Sequence, residues 1–154
     1  MRRPLAADAG AGIWLGIAPE EALAFADEHW RRHGFGPWTA VLKETGEPVA
    51  VIDLHFAGEG IVGVEADEIE VGWVVAADAR GRGLATEAAR AAIGYAFDVL
   101  GVDEVVAYTG PRNAASMRVM EKLGMTVRGE GRSRDGMPAV ILVARRAPRP
   151  GAEC

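Results

Sequence analysis

The chain has 154 residues, 49% of them hydrophobic and 25% charged, the balance of one globular domain with a full core and not of a disordered or fibrous chain. Its formal net charge of -5 and pI near 5.2 argue against a protein that grips nucleic acid through bulk positive charge. The N-terminal MRRPLAADAG has no apolar run behind its arginines, and no stretch reaches the apolar length of a membrane span, so no membrane partner and a cytoplasmic location are expected.

Pro19–His33 opens with proline and two acids and repeats apolar residues at helical spacing, predicting a helix. Trp38–Glu44 and Val49–His55 are β-rich runs joined by Thr-Gly-Glu-Pro, predicting a hairpin. Ala57–Ala66, with three glycines, reads as a loop. Glu68–Val75 reads as a strand, buried toward its end where polar residues stop alternating. Leu84, Ala88, Ala92, Phe97 and Leu100 recur near a helical period and predict a long helix, Leu84–Leu100, closed by Gly101. Glu104–Thr109 is a short strand. Asn113 can cap a helix Ala114–Leu123 that Gly124 ends, and strands Thr126–Arg134 and Met137–Arg146 meet at Asp135-Gly136. This order predicts a mixed α/β sheet in a single domain, residues 1–146. The tail 147–154 is expected to be disordered. It ends in the only cysteine, Cys154, which leaves no internal disulfide and no cysteine metal cluster; no metal is expected.

Arg80-Gly81-Arg82-Gly83 lies between the strand end at Val75 and the helix start at Leu84. Free N–H groups at a helix N-terminus, together with the helix dipole, favour a phosphate, and glycines let main chain approach it closely. Two arginines at the positive end of a helix oppose the dipole unless an anion sits between them. A solvated turn with glycines kept for tight geometry is the competing reading. A Walker loop requires lysine and serine or threonine after its last glycine, where Leu84 and Ala85 stand. A dinucleotide fingerprint requires glycine or alanine at Thr86 and an acid ending the next strand, and Glu104–Thr109 ends without one.

Three blocks in order carry a family resemblance. EVGWVV (residues 70–75) precedes the loop, Arg80 to Ala85 reads R-x-x-G-x-A, and Thr86-Glu87-Ala88 follows. NAASMRVMEKLGM, residues 113–125, reads N-x-x-S-x-x-V-x-E-K-x-G-[FM], and HGFGPW occupies residues 33–38. With these blocks the chain resembles the GNAT superfamily of acetyl-CoA-dependent N-acetyltransferases, most closely its ribosomal-protein N-terminal acetyltransferase branch. The resemblance implies a mixed, mostly antiparallel sheet, splayed at the CoA site and flanked by helices. It implies that the loop amides, Arg80, Gly81, Arg82, Gly83, Leu84, Ala85 and Thr86, bind the CoA pyrophosphate. The pantetheine arm would lie along Val74 and Val75, with Asn113 either a cofactor ligand or a plain N-cap. Ser116 would lie near the thioester sulfur. Members of this branch begin with an additional strand and helix, for which only RRPLAADAG stands here. A short or absent first strand and a deleted first helix are therefore expected, leaving a sheet edge that a second copy could cover in a homodimer. Asp53 stands where the family usually has glycine, facing either the acceptor amine or solvent.

Acetyl transfer needs a neutral amine, an oxyanion site and a proton route. At pH 7 an α-amine of pKa about 8 is roughly a tenth neutral, whereas a lysine amine near about 10.4 is neutral only a few times in ten thousand. Glu70 could take the amine proton through a water, and His55 is the competing base, since an imidazole titrates near about pH 6.5. A main-chain N–H near Val75 would polarise the carbonyl, and Ser116 or Tyr108 could protonate the departing thiolate. The expected function is acetyl transfer from acetyl-CoA to a primary amine: a protein N-terminus, an amino acid or a small amine. The alternative is a CoA-binding sensor or subunit that has lost catalysis.

Overall fold

The computed structural model describes Met1, residues 18–148 and Gly151. The expectations about the first strand and helix, and about most of the tail, fall outside these residues.

Helix α1 (Pro19–His33) has the predicted bounds, with proline at its start, Glu20 and Glu21 in its first turn and Arg31, Arg32 and His33 in its last, all matched to the helix dipole. Gly34 ends it in the left-handed region (φ 73°), its N–H bonded to Trp30 O at 3.0 Å. The rest of the HGFGPW block seats this helix on the sheet. A Cβ on Gly36 would stand 2.8 Å from the Trp30 ring, whose Nε1 donates to Pro37 O at 2.9 Å.

Strand β1 (Trp38–Val41) stops three residues before the expected Glu44, because Leu42 N–H bonds Glu47 O and Gly46 N–H bonds Leu42 O, turning the chain early. It pairs antiparallel with β2 (Pro48–Phe56). The segment expected to be a loop contains β3 (Ile61–Val62), which pairs with a strand some seventy residues later, Ile61 opposite Ser133 and Val62 opposite Arg132. Gly131 makes this possible, since any Cβ there would strike Val62 O.

Strand β4 (Ile69–Val75) is followed by a 3-10 turn (Ala77–Ala79) and helix α2 (Leu84–Tyr95). The long helix foreseen to Leu100 widens into a π turn at Ala96–Leu100 before Gly101 closes it at φ 74°. Strand β5 (Glu104–Thr109), helix α3 (Ala114–Lys122), and strands β6 (Thr126–Ser133) and β7 (Pro138–Arg145) complete the order, with Asp135-Gly136 in the β6–β7 turn.

The seven strands form one sheet in the order β1-β2-β4-β5-β7-β6-β3, and every pairing but β4–β5 is antiparallel. Side chains alternate across it. Ala50, Ile52, Leu54, Val71, Val105, Ala107 and Leu142 pack with Ala88, Ala92, Ile93 and Ala96 of the α2 segment and Met120 of α3. The opposite face carries two smaller clusters, Val49 and Val51 with Ala76 and Ala79, and Val106, Ile141 and Val143 with Ala57, Ile61 and Val64. Between these two apolar clusters lie the ionisable side chains of β2, β4 and β5. None of the helices described is long and apolar enough to cross a membrane.

Candidate active site

Gly81 (φ 75°) and Gly83 (φ 76°) both sit in the left-handed region, which explains the glycines of the Arg80–Gly83 loop, and no atom lies within 4 Å of a Cβ built on either. Gly83 is the N-cap of α2, and no side chain caps the helix. The N–H groups of its first turn, Leu84 to Thr86, thus point outward without an intrahelical acceptor. Arg82 is exposed, whereas Arg80 folds back so that Nε donates to Val75 O at 3.3 Å. An open groove of about 530 Å³ runs from this loop along α2 to α3, lined by Gly83, Thr86, Glu87, Arg90, Ala91 and Lys122.

The same end of the sheet is split. Strands β4 and β5 are bridged only at Glu70 opposite Val106, while β5 stays paired to β7 as far as Thr109. Ala57 N–H to Glu68 O and Ala76 N–H to Val49 O, each 2.8 Å, bracket the β2–β4 ladder. Main-chain direction alternates along a strand, so even-numbered residues of β4 turn their N–H and C=O toward β2 and odd-numbered ones toward β5. Val74 is therefore engaged with Val51, and it is Trp73 and Val75 that present main-chain groups to the open seam. Trp73 was not singled out from sequence, because only the register with β2 reveals this parity.

Asp53 and His55 of β2 share a face with Glu70 of β4, which is directly opposite His55, and Tyr108 of β5 joins them. His55 Nδ1 donates to Phe56 O at 2.7 Å, leaving Nε2 as the lone-pair nitrogen, 4.0 Å from Glu70 Oε1. Glu70 is 9% exposed. Burial pushes its carboxyl above the usual range, aided by the Asp53 charge and opposed by His55 and by a hydrogen bond from the Tyr108 hydroxyl. Tyr108 is pushed up to about 12, first by burial and then by Glu70. Asp53 is likewise raised by burial, against the pull of His55, and is half-buried on the face it shares with them.

The helix that carries Asn113 and Ser116 completes the arrangement. Asn113 Oδ1 accepts the Ser116 N–H at 3.1 Å, so the side chain is a plain N-cap in this geometry. Ser116 is half-buried, and its hydroxyl has no hydrogen-bond partner among the described residues. Phe25 of α1, 45% exposed, stands edge-on to His55 at a centroid distance of 5.3 Å and was also missed, since its neighbour is thirty residues away in sequence. Among the described residues no group of three or more His, Cys, Asp or Glu is placed to hold a metal ion.

Residues 10–126 match a family profile described as an acetyltransferase (GNAT) domain. The protein YkkB of Bacillus subtilis is 37% identical over 97 residues, 60% of this chain and 52% of that relative, so the match spans about half the relative's length. Among solved structures, the aminoglycoside acetyltransferase AAC(6')-Ib in complex with coenzyme A is 30% identical with a TM-score of 0.62, covering 71% of this chain and 65% of that one. The ribosomal-protein-S5-alanine acetyltransferase of Vibrio fischeri shares the fold at 18% identity, with a TM-score of 0.65 over 83% of this chain and 72% of that one.

Proposed function

The chain belongs to the GNAT acetyltransferase family, and from that premise we propose that it transfers an acetyl group from acetyl-CoA to a primary amine by direct attack in a ternary complex. The observation that carries this reading is the split between β4 and β5 beside an uncapped, glycine-led helix N-terminus. A long thioester needs an anion cradle at one end and a slot with free main-chain donors at the other, and these two features supply them. The coenzyme A held by the aminoglycoside acetyltransferase relative supports the same ligand here. Gly81, Gly83 and the first-turn amides of α2 would hold the pyrophosphate, with Arg82 adding charge. Arg90 and Lys122 in the adjoining groove offer cations to the nucleotide end. Trp73 and Val75 would bind the pantetheine amides and polarise the carbonyl.

Acetyl-CoA supplies the acyl group as a thioester. The acceptor nitrogen forms the new C–N bond as the C–S bond breaks. His55 Nε2 takes the proton that nitrogen must lose, and Glu70 holds the resulting imidazolium. Ser116 gives a proton to the departing sulfur and recovers one from solvent, so the products are an amide and neutral CoA thiol. Tyr108 is the weaker candidate for that acid, because its hydroxyl proton is committed to Glu70 and its pKa lies at about 12. The test is an acceptor screen with acetyl-CoA, following thiol release across N-terminal peptides, amino acids, monoamines and polyamines. Release with at least one amine class supports the proposal. Tight CoA binding with no release above hydrolysis for every class overturns it in favour of a CoA-binding subunit.

A further inference from the structure

Asp53 and Glu70 lie on one face of the sheet beside the seam, and their only basic neighbour is His55: no lysine or arginine among the described residues pairs with either. Glu70 at least has the Tyr108 hydroxyl. Asp53 has no hydrogen-bond partner among the described residues, though it is half-buried. A carboxyl withdrawn from water in this way carries a cost that, among the described residues, only His55 offsets. The residue directly across from it is Gly72, so the space over that position of β4 holds bare main chain where a side chain would otherwise stand. Phe25 lends an apolar wall at the His55 end.

We propose that the acceptor is a dication of the short diamine or polyamine class, in which one amine is acetylated after losing its proton to His55 while a second ammonium is held by Asp53. The inference rests on the acetyl-transfer reading and adds the substrate class to it. Asp53 is two residues along β2 from His55 and diagonal to Glu70, which sets the two nitrogens about 5–8 Å apart. A chain of three to five methylenes spans that distance, and its apolar stem suits the Phe25 edge. One ammonium would leave a second carboxyl without a counter-charge. A free amino acid would bring a third carboxylate against two, so that acceptor class is disfavoured.

The experiment measures equilibrium binding, with CoA present, of 1,4-diaminobutane, 4-amino-1-butanol and 1-aminobutane to the wild-type protein and to Asp53→Asn. The wild type should bind the diamine at least 10-fold more tightly than either monocation, and the variant should bring all three within about 2-fold while its CoA affinity is unchanged. Equal affinities in the wild type overturn the proposal, as does a variant that keeps the preference. The amino alcohol makes the wild-type series decisive by itself if the variant fails to fold. Turnover with acetyl-CoA on the same samples reports the underlying reading separately. Diamine preference without thiol release sinks acetyl transfer and leaves the Asp53 site standing, whereas release without preference sinks only the Asp53 site.

Discussion

Replacing Gly83 separates backbone strain from ligand binding at the loop. The residue sits at φ 76° with nothing within 4 Å of a Cβ, so alanine or glutamate there meets no clash and loses only the cost of a left-handed backbone, about 1–2 kcal/mol. A glutamate recovers up to about 1 kcal/mol of that from the α2 dipole. Gly46, in the β1–β2 turn at φ 73° and equally open, provides a strain-matched control far from the loop. In a domain of this size each 1 kcal/mol moves Tm by about 2–4 °C. CoA at 100 times its Kd adds about 2.7 kcal/mol to the folded state by mass action, a rise of about 5–11 °C. Differential scanning fluorimetry with and without CoA should show the full rise in wild type and Gly46→Ala, a smaller one in Gly83→Ala, and none in Gly83→Glu, whose carboxylate occupies the anion cradle. A Gly83→Glu protein that keeps the CoA rise would refute the cradle. So would a wild type that ATP or NAD stabilises more than CoA does.

Ser116→Ala should lower kcat and kcat/KM together, by up to about 10²-fold, while calorimetry finds CoA affinity unchanged; undiminished turnover would remove Ser116 from the mechanism. Asn113→Ala should cost about 1 kcal/mol in urea unfolding through the lost cap to Ser116 N–H. Asp53→Asn should raise Tm at pH 7, since a raised native pKa means the charged form opposes folding. That gain should shrink as pH falls through the raised native value and be gone by about pH 4, where both states of the wild type are protonated. His29 has the opposite sign. Burial lowers its native pKa, and its neutral ring is fully used, Nδ1 donating to Phe35 O at 2.7 Å and Nε2 accepting Phe56 N–H at 3.2 Å. Relative to His29→Gln, the wild type should lose stability as pH falls below about 6.5 toward the depressed native value, with no difference in slope above it. A wild-type Tm profile parallel to the variant's through that range would count against a neutral His29.

What was legible in the sequence is what local chemistry decides. Pro19 and Gly34 bracket α1 because a fixed φ starts a helix cheaply and a left-handed residue ends one. The loop glycines, the Asn113 cap and the Asp135-Gly136 turn belong to the same class, since each is set by a few neighbouring residues. Features that depend on which strand lies beside which were out of reach. β3 exists because Gly131, far along the chain, lets Val62 O come close. Which of Val74 and its neighbours faces the seam follows from the β2–β4 register, and a shift of one residue would have reversed the answer. The site lies at the extreme of that dependence. Asp53 is an ordinary alternating polar residue within β2, and neither the glycine across from it nor the lack of a lysine or arginine beside it among the described residues can be read from β2 itself. His55, Glu70 and Tyr108 come from three strands: the β2–β4 register sets Glu70 opposite His55, and one parallel bridge at Glu70 and Val106 brings Tyr108 beside them. Moving that bridge by two residues toward Val75 would close the seam over the slot and carry Tyr108 past the Glu70 carboxyl. The chemistry proposed for the chain therefore depends on where the sheet stops being a sheet, a property of the assembled strands that no single strand encodes.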